Sequence, residues 1–189
     1  MIYLIGIVHD FQYVSSLRKD VSPDDKPKQF RRYLLDLAAR YSPTLIAEEF
    51  NEAFRSILNL KEVIGESVAS ELGIDHQYCD PIQGEKGVLG LTGVHNKYYP
   101  PEPRVDLEDW SPEAKYELIR DYVRREKKWF KALSTKLPHH VNIFFVCGAD
   151  HFRTFKTRLC RKRTGQNRLK VKTILHSNFP GKGLPYWKA

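Results

Sequence analysis

The sequence predicts an α/β domain with a mostly parallel sheet and helices on both of its faces. Two short apolar runs, Ile2 to Val8 and Val141 to Cys147, are rich in β-branched and aromatic residues, as strands covered on both sides are. Between and after them the patterns alternate as β-α-β-α-β, a long helix, then β-α-β, the order that builds parallel sheets. Both runs also end in the same step, Gly6-Ile7-Val8-His9 and Gly148-Ala149-Asp150-His151. Ligands of open α/β sheets sit beyond the carboxyl ends of the strands, so these steps mark where chemistry belongs.

The 189 residues suit a single domain, 1–189, long enough to build a core without metals or disulfides. An apolar content of 41% and an aromatic content of 12% exclude a chain disordered throughout. Cys79, Cys147 and Cys160 are odd in number and lack metal-ligand spacing, which points to a reduced, cytoplasmic protein. Neither a leader-like segment nor an apolar run long enough to span a bilayer is present, so no membrane partner is expected. The net charge of +8 is uneven: residues 152–172 hold nine Lys or Arg and no acid. Such a stretch draws nucleic acid or other polyanions by long-range attraction, or is simply a solvated face.

The elements follow in order. Phe11 to Lys28 is polar, contains Pro23 and Pro27, and reads as a loop leaving the first Gly-x-x-His. Phe30, Leu34, Leu37, Ala38 and Tyr41 form one helical stripe, ended by Ser42 and Pro43. Thr44 to Phe50 is a strand closing in Glu48 and Glu49; alternation sends the two carboxylates to opposite faces, so only one meets the site. Leu60, Ile64, Val68 and Leu72 predict a helix ended by Gly73, and Asp75 to Asp80 a short third strand. Residues 82–110, with four glycines and three prolines, predict a long loop or lid. Ser111 as N-cap and Pro112 at the first position open the longest helix, to about Leu137. Its stripe is Ile119, Tyr122, Glu126, Trp129 and Leu133, with Arg125 beside a core-facing Glu126: a structural ion pair or part of a site. After the basic helix Phe152 to Cys160, Leu169 to Leu175 alternates as an edge strand guarded by lysines, and 176–189 is an irregular tail.

The strand ends therefore gather His9, Asp10, Glu48 or Glu49, Asp80, Asp150 and His151 on one edge. Histidine with carboxylate suits a divalent cation, Mn²⁺ or Zn²⁺, held by His9, Glu49, Asp150 and His151 and acidifying a bound water. Without metal, a glutamate serves as general base, a histidine shuttles the proton and Arg125 steadies the oxyanion. Both are hydrolytic. Single strand-end histidines are more often ordinary hydrogen-bonding residues, and Asp10 and Asp80 can be plain caps; the duplication argues for function at His9 and His151. A metal-dependent nuclease or nucleic-acid-binding protein is the alternative, through 153–172, and a haem or small-ligand module with an axial histidine is a third.

The paired Gly-x-x-His strand ends resemble those of the TraB/PrgY, Tiki and erythromycin-esterase/ChaN-like superfamily. The resemblance spans about Ile2 to Leu175, and Arg125, Glu126 and Trp129 are similar to the Arg-acid-x-x-Met step of the erythromycin-esterase branch, with Trp in place of Met. It implies an erythromycin-esterase/ChaN-like fold and a hydrolase acting on a small-molecule ester or a peptide, metal-dependent as in Tiki-like members or using glutamate and histidine as in the esterases. ChaN-like members are associated with haem. By position it assigns catalytic roles to His9, Glu48 or Glu49, Arg125 and His151.

Overall fold

The structure is a computed structural model that describes residues 1–7, 11–15, 25–57, 59–89, 111–148, 151–161, 163–164 and 167–175. In chain order its elements are β1 (Ile2–Ile7), β2 (Tyr13–Ser15), α1 (Asp25–Tyr41), β3 (Leu45–Glu48), α2 (Glu52–Ile57), β4 (Leu60–Val63), α3 (Ile64–Leu72) and β5 (Asp75–Tyr78). Then follow α4 (Gln83–Val88), α5 (Pro112–Lys136), β6 (Ile143–Gly148), α6 (Phe152–Arg161), β7 (Arg163–Thr164), β8 (Asn167–Arg168) and β9 (Val171–Leu175).

Five strands form one parallel sheet in the order β5-β3-β6-β1-β9. Alternation along the inner strands explains why both faces are apolar. Tyr3, Ile5 and Ile7 of β1, Ile46 of β3 and Phe144 and Val146 of β6 pack with Phe30 and Leu34 of α1 and Ile64 and Val68 of α3. Ile2, Leu4, Leu45, Ala47, Ile143, Phe145 and Cys147 point the other way, onto Trp129 and Leu133 of α5 and Phe155 and Leu159 of α6. Trp129, Phe145 and Phe155 are mutually in ring contact, with centroids 4.8–5.6 Å apart. Fully burying each such side chain contributes roughly 1.5–3 kcal/mol, which makes this second layer a firm support for whatever sits above it.

Several elements match the sequence reading. Ser111 caps α5 by accepting from the Ala114 amide at 3.2 Å, and Gly73 ends α3 in the left-handed region at φ 64°. β9 is an edge strand with Lys170 and Lys172 exposed. Other expectations are corrected. The loop assigned to 11–28 contains β2, and α1 starts at Asp25, because Pro27 in a first turn sacrifices no helical hydrogen bond. Leu60 is not the start of a helix: residues 60–63 pair antiparallel with β2, and the helix begins at Ile64. The loop assigned to 82–110 holds α4 over Gln83–Val88, while 90–110 and the tail 176–189 lie outside the described residues. Ile119 is 60% exposed and Leu118 takes the buried position. No helix among the described residues is long and apolar enough to cross a membrane.

Candidate functional site

The sheet order dictates where a site belongs. From β1 and β3 the chain returns through helices on the α1/α3 face, whereas from β6 it continues into α6 on the opposite face. The end of β6 is thus flanked on both sides by strands whose continuations go the other way, the topological switch point at which open α/β sheets hold ligands. β1 and β6 are in register, Ile7 beside Gly148, so the two strands that carry the Gly-x-x-His steps end side by side. His9, Asp10 and Asp150 themselves lie outside the described residues.

The first glycine of those steps serves close approach. A Cβ on Gly6 would stand 2.7 Å from the Phe152 ring, so its absence lets α6 settle on β1. Gly148 is the last residue of β6, and its N–H donates to Glu49 Oε2 at 2.8 Å.

Glu48 and Glu49 part as alternation requires. Glu49 turns to the α5 side, where its Oε1 accepts from Arg125 Nη2 at 2.7 Å. Glu48 turns to the α3 side, fully buried, with Oε1 2.8 Å from His76 Nε2 and Oε2 without a hydrogen-bond partner among the described residues. The carboxylate brought to Arg125 and His151 is therefore that of Glu49. Asp80, just past β5, supplies a second: its Oδ1 accepts from Arg125 Nε at 2.9 Å and from the Trp129 indole N–H at 3.0 Å.

Arg125 projects from α5, side chain 22% exposed, and lies over the Trp129 ring. Burial works against its charge, but Glu49 and Asp80 outweigh burial and hold the guanidinium protonated above its ordinary range. Its Nη1 is 3.4 Å from His151 Nε2. His151 is 2% exposed and wedged between Tyr122 and Trp129, ring centroids 3.9 and 4.7 Å away. Its Nδ1 lies 3.2 Å from Glu126 Oε1, and its Nε2 3.4 Å from Glu49 Oε1. Glu126, fully buried, is secured from α6: Thr154 Oγ1 donates to Oε1, and Arg158 Nε donates to Oε2 at 3.2 Å.

Glu126 was legible only as an anomaly, an acid in a buried stripe; its bond to His151 joins residues far apart in sequence. Thr154 and Arg158 carried no sequence signal for the site, and Trp129 carried one only through its place in the Arg125-Glu126-x-x-Trp129 step. Cys79 adjoins Asp80, but burial and the nearby Glu48 and Asp80 carboxylates push its thiol up, so it is no nucleophile at neutral pH.

These contacts decide what the described residues can hold. Glu49 and His151, the two described members of the expected metal set, share Arg125 as a neighbour, while His9 and Asp150 lie outside the described residues. Both Glu49 oxygens are engaged, one by Arg125 and one by an N–H. Among the described residues no group of three or more His, Cys, Asp or Glu is placed to hold a metal ion.

Comparison with protein-family models, with curated proteins and with solved structures finds no match for this chain.

Proposed function

We propose that the strand-end site is that of a hydrolase in which His151 moves the proton. The observation that carries this is the holding of one imidazole between two carboxylates: Nδ1 at Glu126, Nε2 facing Glu49 and Arg125. With its proton on Nδ1, given to Glu126, His151 offers the Nε2 lone pair to a water and takes a proton from it. The imidazolium so formed is stabilised on both sides, Nδ1–H by Glu126 and Nε2–H by Glu49, and returns its proton to the leaving group. Arg125 spends Nε and Nη2 on Asp80 and Glu49, and one N–H of Nη1 faces His151 Nε2, so the second N–H of Nη1 donates to the negative charge that develops on the attacked carbonyl oxygen. Glu126 holds the ring and is a positioning residue. The resemblance of the Gly-x-x-His steps to a superfamily containing esterases and proteases supports an ester or peptide bond as the target.

The test is a panel of esters, peptides and phosphodiesters assayed with wild type and with His151→Ala, Glu49→Gln and Glu48→Gln, in chelator and with added Mn²⁺ or Zn²⁺. Turnover in chelator, lost in His151→Ala and Glu49→Gln but kept in Glu48→Gln, is the expected result. Turnover that survives His151→Ala overturns the assignment, and turnover confined to the metal-loaded protein replaces it with a metal-dependent hydrolase.

A further inference from the structure

We propose that the outer surface of α5 and α6 binds the phosphate backbone of nucleic acid. The basic stretch after β6 is not one face. Arg158 is turned inward onto Glu126, and Lys172 bonds to the Tyr41 hydroxyl and lies over its ring on the α1 side of the sheet. What remains exposed on α6 is Arg153, Lys156 and Arg161. The structure adds a partner that the local charge density of the sequence conceals. On α5, Arg120, Lys127 and Lys131 are exposed and fall at i, i+7 and i+11, a single stripe on the side away from the sheet. Glu113 and Glu117 lie on the turns before Arg120, but the acids beyond it, Asp121 and Glu126, are buried, so Lys127 and Lys131 have no acid beside them on the outer face of α5.

α5 and α6 lie side by side on one face of the sheet and are tied together through Glu126, so their solvent sides form one surface. None of the six basic residues is ion-paired to an acid among the described residues. The α5 stripe runs about 16 Å at 1.5 Å per residue, room for about five phosphates at 3.4 Å per nucleotide of one strand. Two such rows of cations, with Glu126 between them buried and paired, complement a polyanion rather than a single small anion. The net charge of +8 supplies the long-range attraction that brings it there.

This surface goes beyond the hydrolytic reading, and either can fail alone. The test measures binding of short labelled single-stranded RNA, single-stranded DNA and duplex DNA to the whole chain over a range of salt. It uses the wild type, the triple variant Arg120→Gln, Lys127→Gln, Lys131→Gln, and the triple variant Arg153→Gln, Lys156→Gln, Arg161→Gln. All six positions are exposed and outside the strand-end site, and circular dichroism with thermal melting checks that each variant folds. Each triple variant is expected to bind at least about tenfold more weakly at low salt and to flatten the salt dependence by up to about three, one per lost phosphate contact. Wild type that binds no nucleic acid at low salt, or that binds only anionic lipid vesicles, overturns the proposal. So does α5-variant binding indistinguishable from wild type.

Discussion

Nδ1 of His151 and Oε1 of Glu126 lie 3.2 Å apart across the seam between α5 and the start of α6, with the glutamate fully buried. This contact fixes which ring nitrogen carries the proton in neutral His151. Nitrogen-15 NMR of the imidazole is expected to show the Nδ1–H form in the wild type and a shift toward Nε2–H in Glu126→Gln. The variant also weakens the hold on Arg158 and Thr154 and is expected to cost about 1–3 kcal/mol of stability. A wild-type ring protonated on Nε2 at neutral pH contradicts the geometry.

On the other face of the sheet, Gly65 in the first turn of α3 is held against Glu48: a Cβ there would stand 2.5 Å from Oε1. Gly65→Ala must push the carboxylate off His76 and is expected to destabilise by about 1–3 kcal/mol despite alanine's better helix propensity. Glu48→Ala empties the space. The double variant is therefore expected to be more stable than the sum of the two single losses predicts, by about 1 kcal/mol or more in chemical denaturation. Simple additivity would show that the glycine is not there for the carboxylate.

The contrast between these two contacts explains what was legible in the sequence. Parallel strands, their ends and the opposed directions of Glu48 and Glu49 follow from period-2 alternation and chain order, which are local properties. Arg125 and Glu126 were visible as charges in a buried stripe for the same reason. Asp80 was placed with Glu49 on the strand-end edge, where both meet Arg125, but the pairing of Glu126 with His151 was not legible: it comes from packing between distant segments, and no spacing encodes that. Residues 60–63 were misread because Leu60 continues a helical spacing, while pairing with β2 decides the outcome.

Cys79 makes a pH prediction with a definite sign. Burial first, then the carboxylates of Glu48 and Asp80, raise its thiol above the ordinary value of 9.0. A folded-state value above the unfolded one stabilises fully below the unfolded value, and the contribution is lost as pH rises toward the raised one. Stability measured by denaturation is therefore expected to fall above about pH 9, and less steeply in Cys79→Ala, which is also less stable at neutral pH through lost packing. Identical alkaline slopes in the two proteins would exclude the thiol as a cause.

Arg125 joins structure to chemistry, and a graded series separates the two. Glu49 and Asp80 are nearly buried carboxylates that share this one guanidinium, the first through Nη2 and the second through Nε and Nη2. Removing it in Arg125→Met strands both charges, and breaking a buried pair in this way typically costs about 3–5 kcal/mol. Arg125→Lys keeps the charge but presents a point where a fork was needed, so it cannot satisfy both acids and still donate to a third oxygen. Asp80→Asn relieves the charge imbalance of Arg125→Met and leaves Trp129 an acceptor. The expected outcome is that Arg125→Met with Asp80→Asn regains a substantial part of the lost stability while turnover stays lost. Arg125→Lys is expected to be intermediate in stability and poor in turnover. The measurements are thermal or denaturant unfolding beside the hydrolysis panel. If turnover returns in step with stability, Arg125 is only a structural ion pair; if stability returns without turnover, its Nη1 acts on the reacting group.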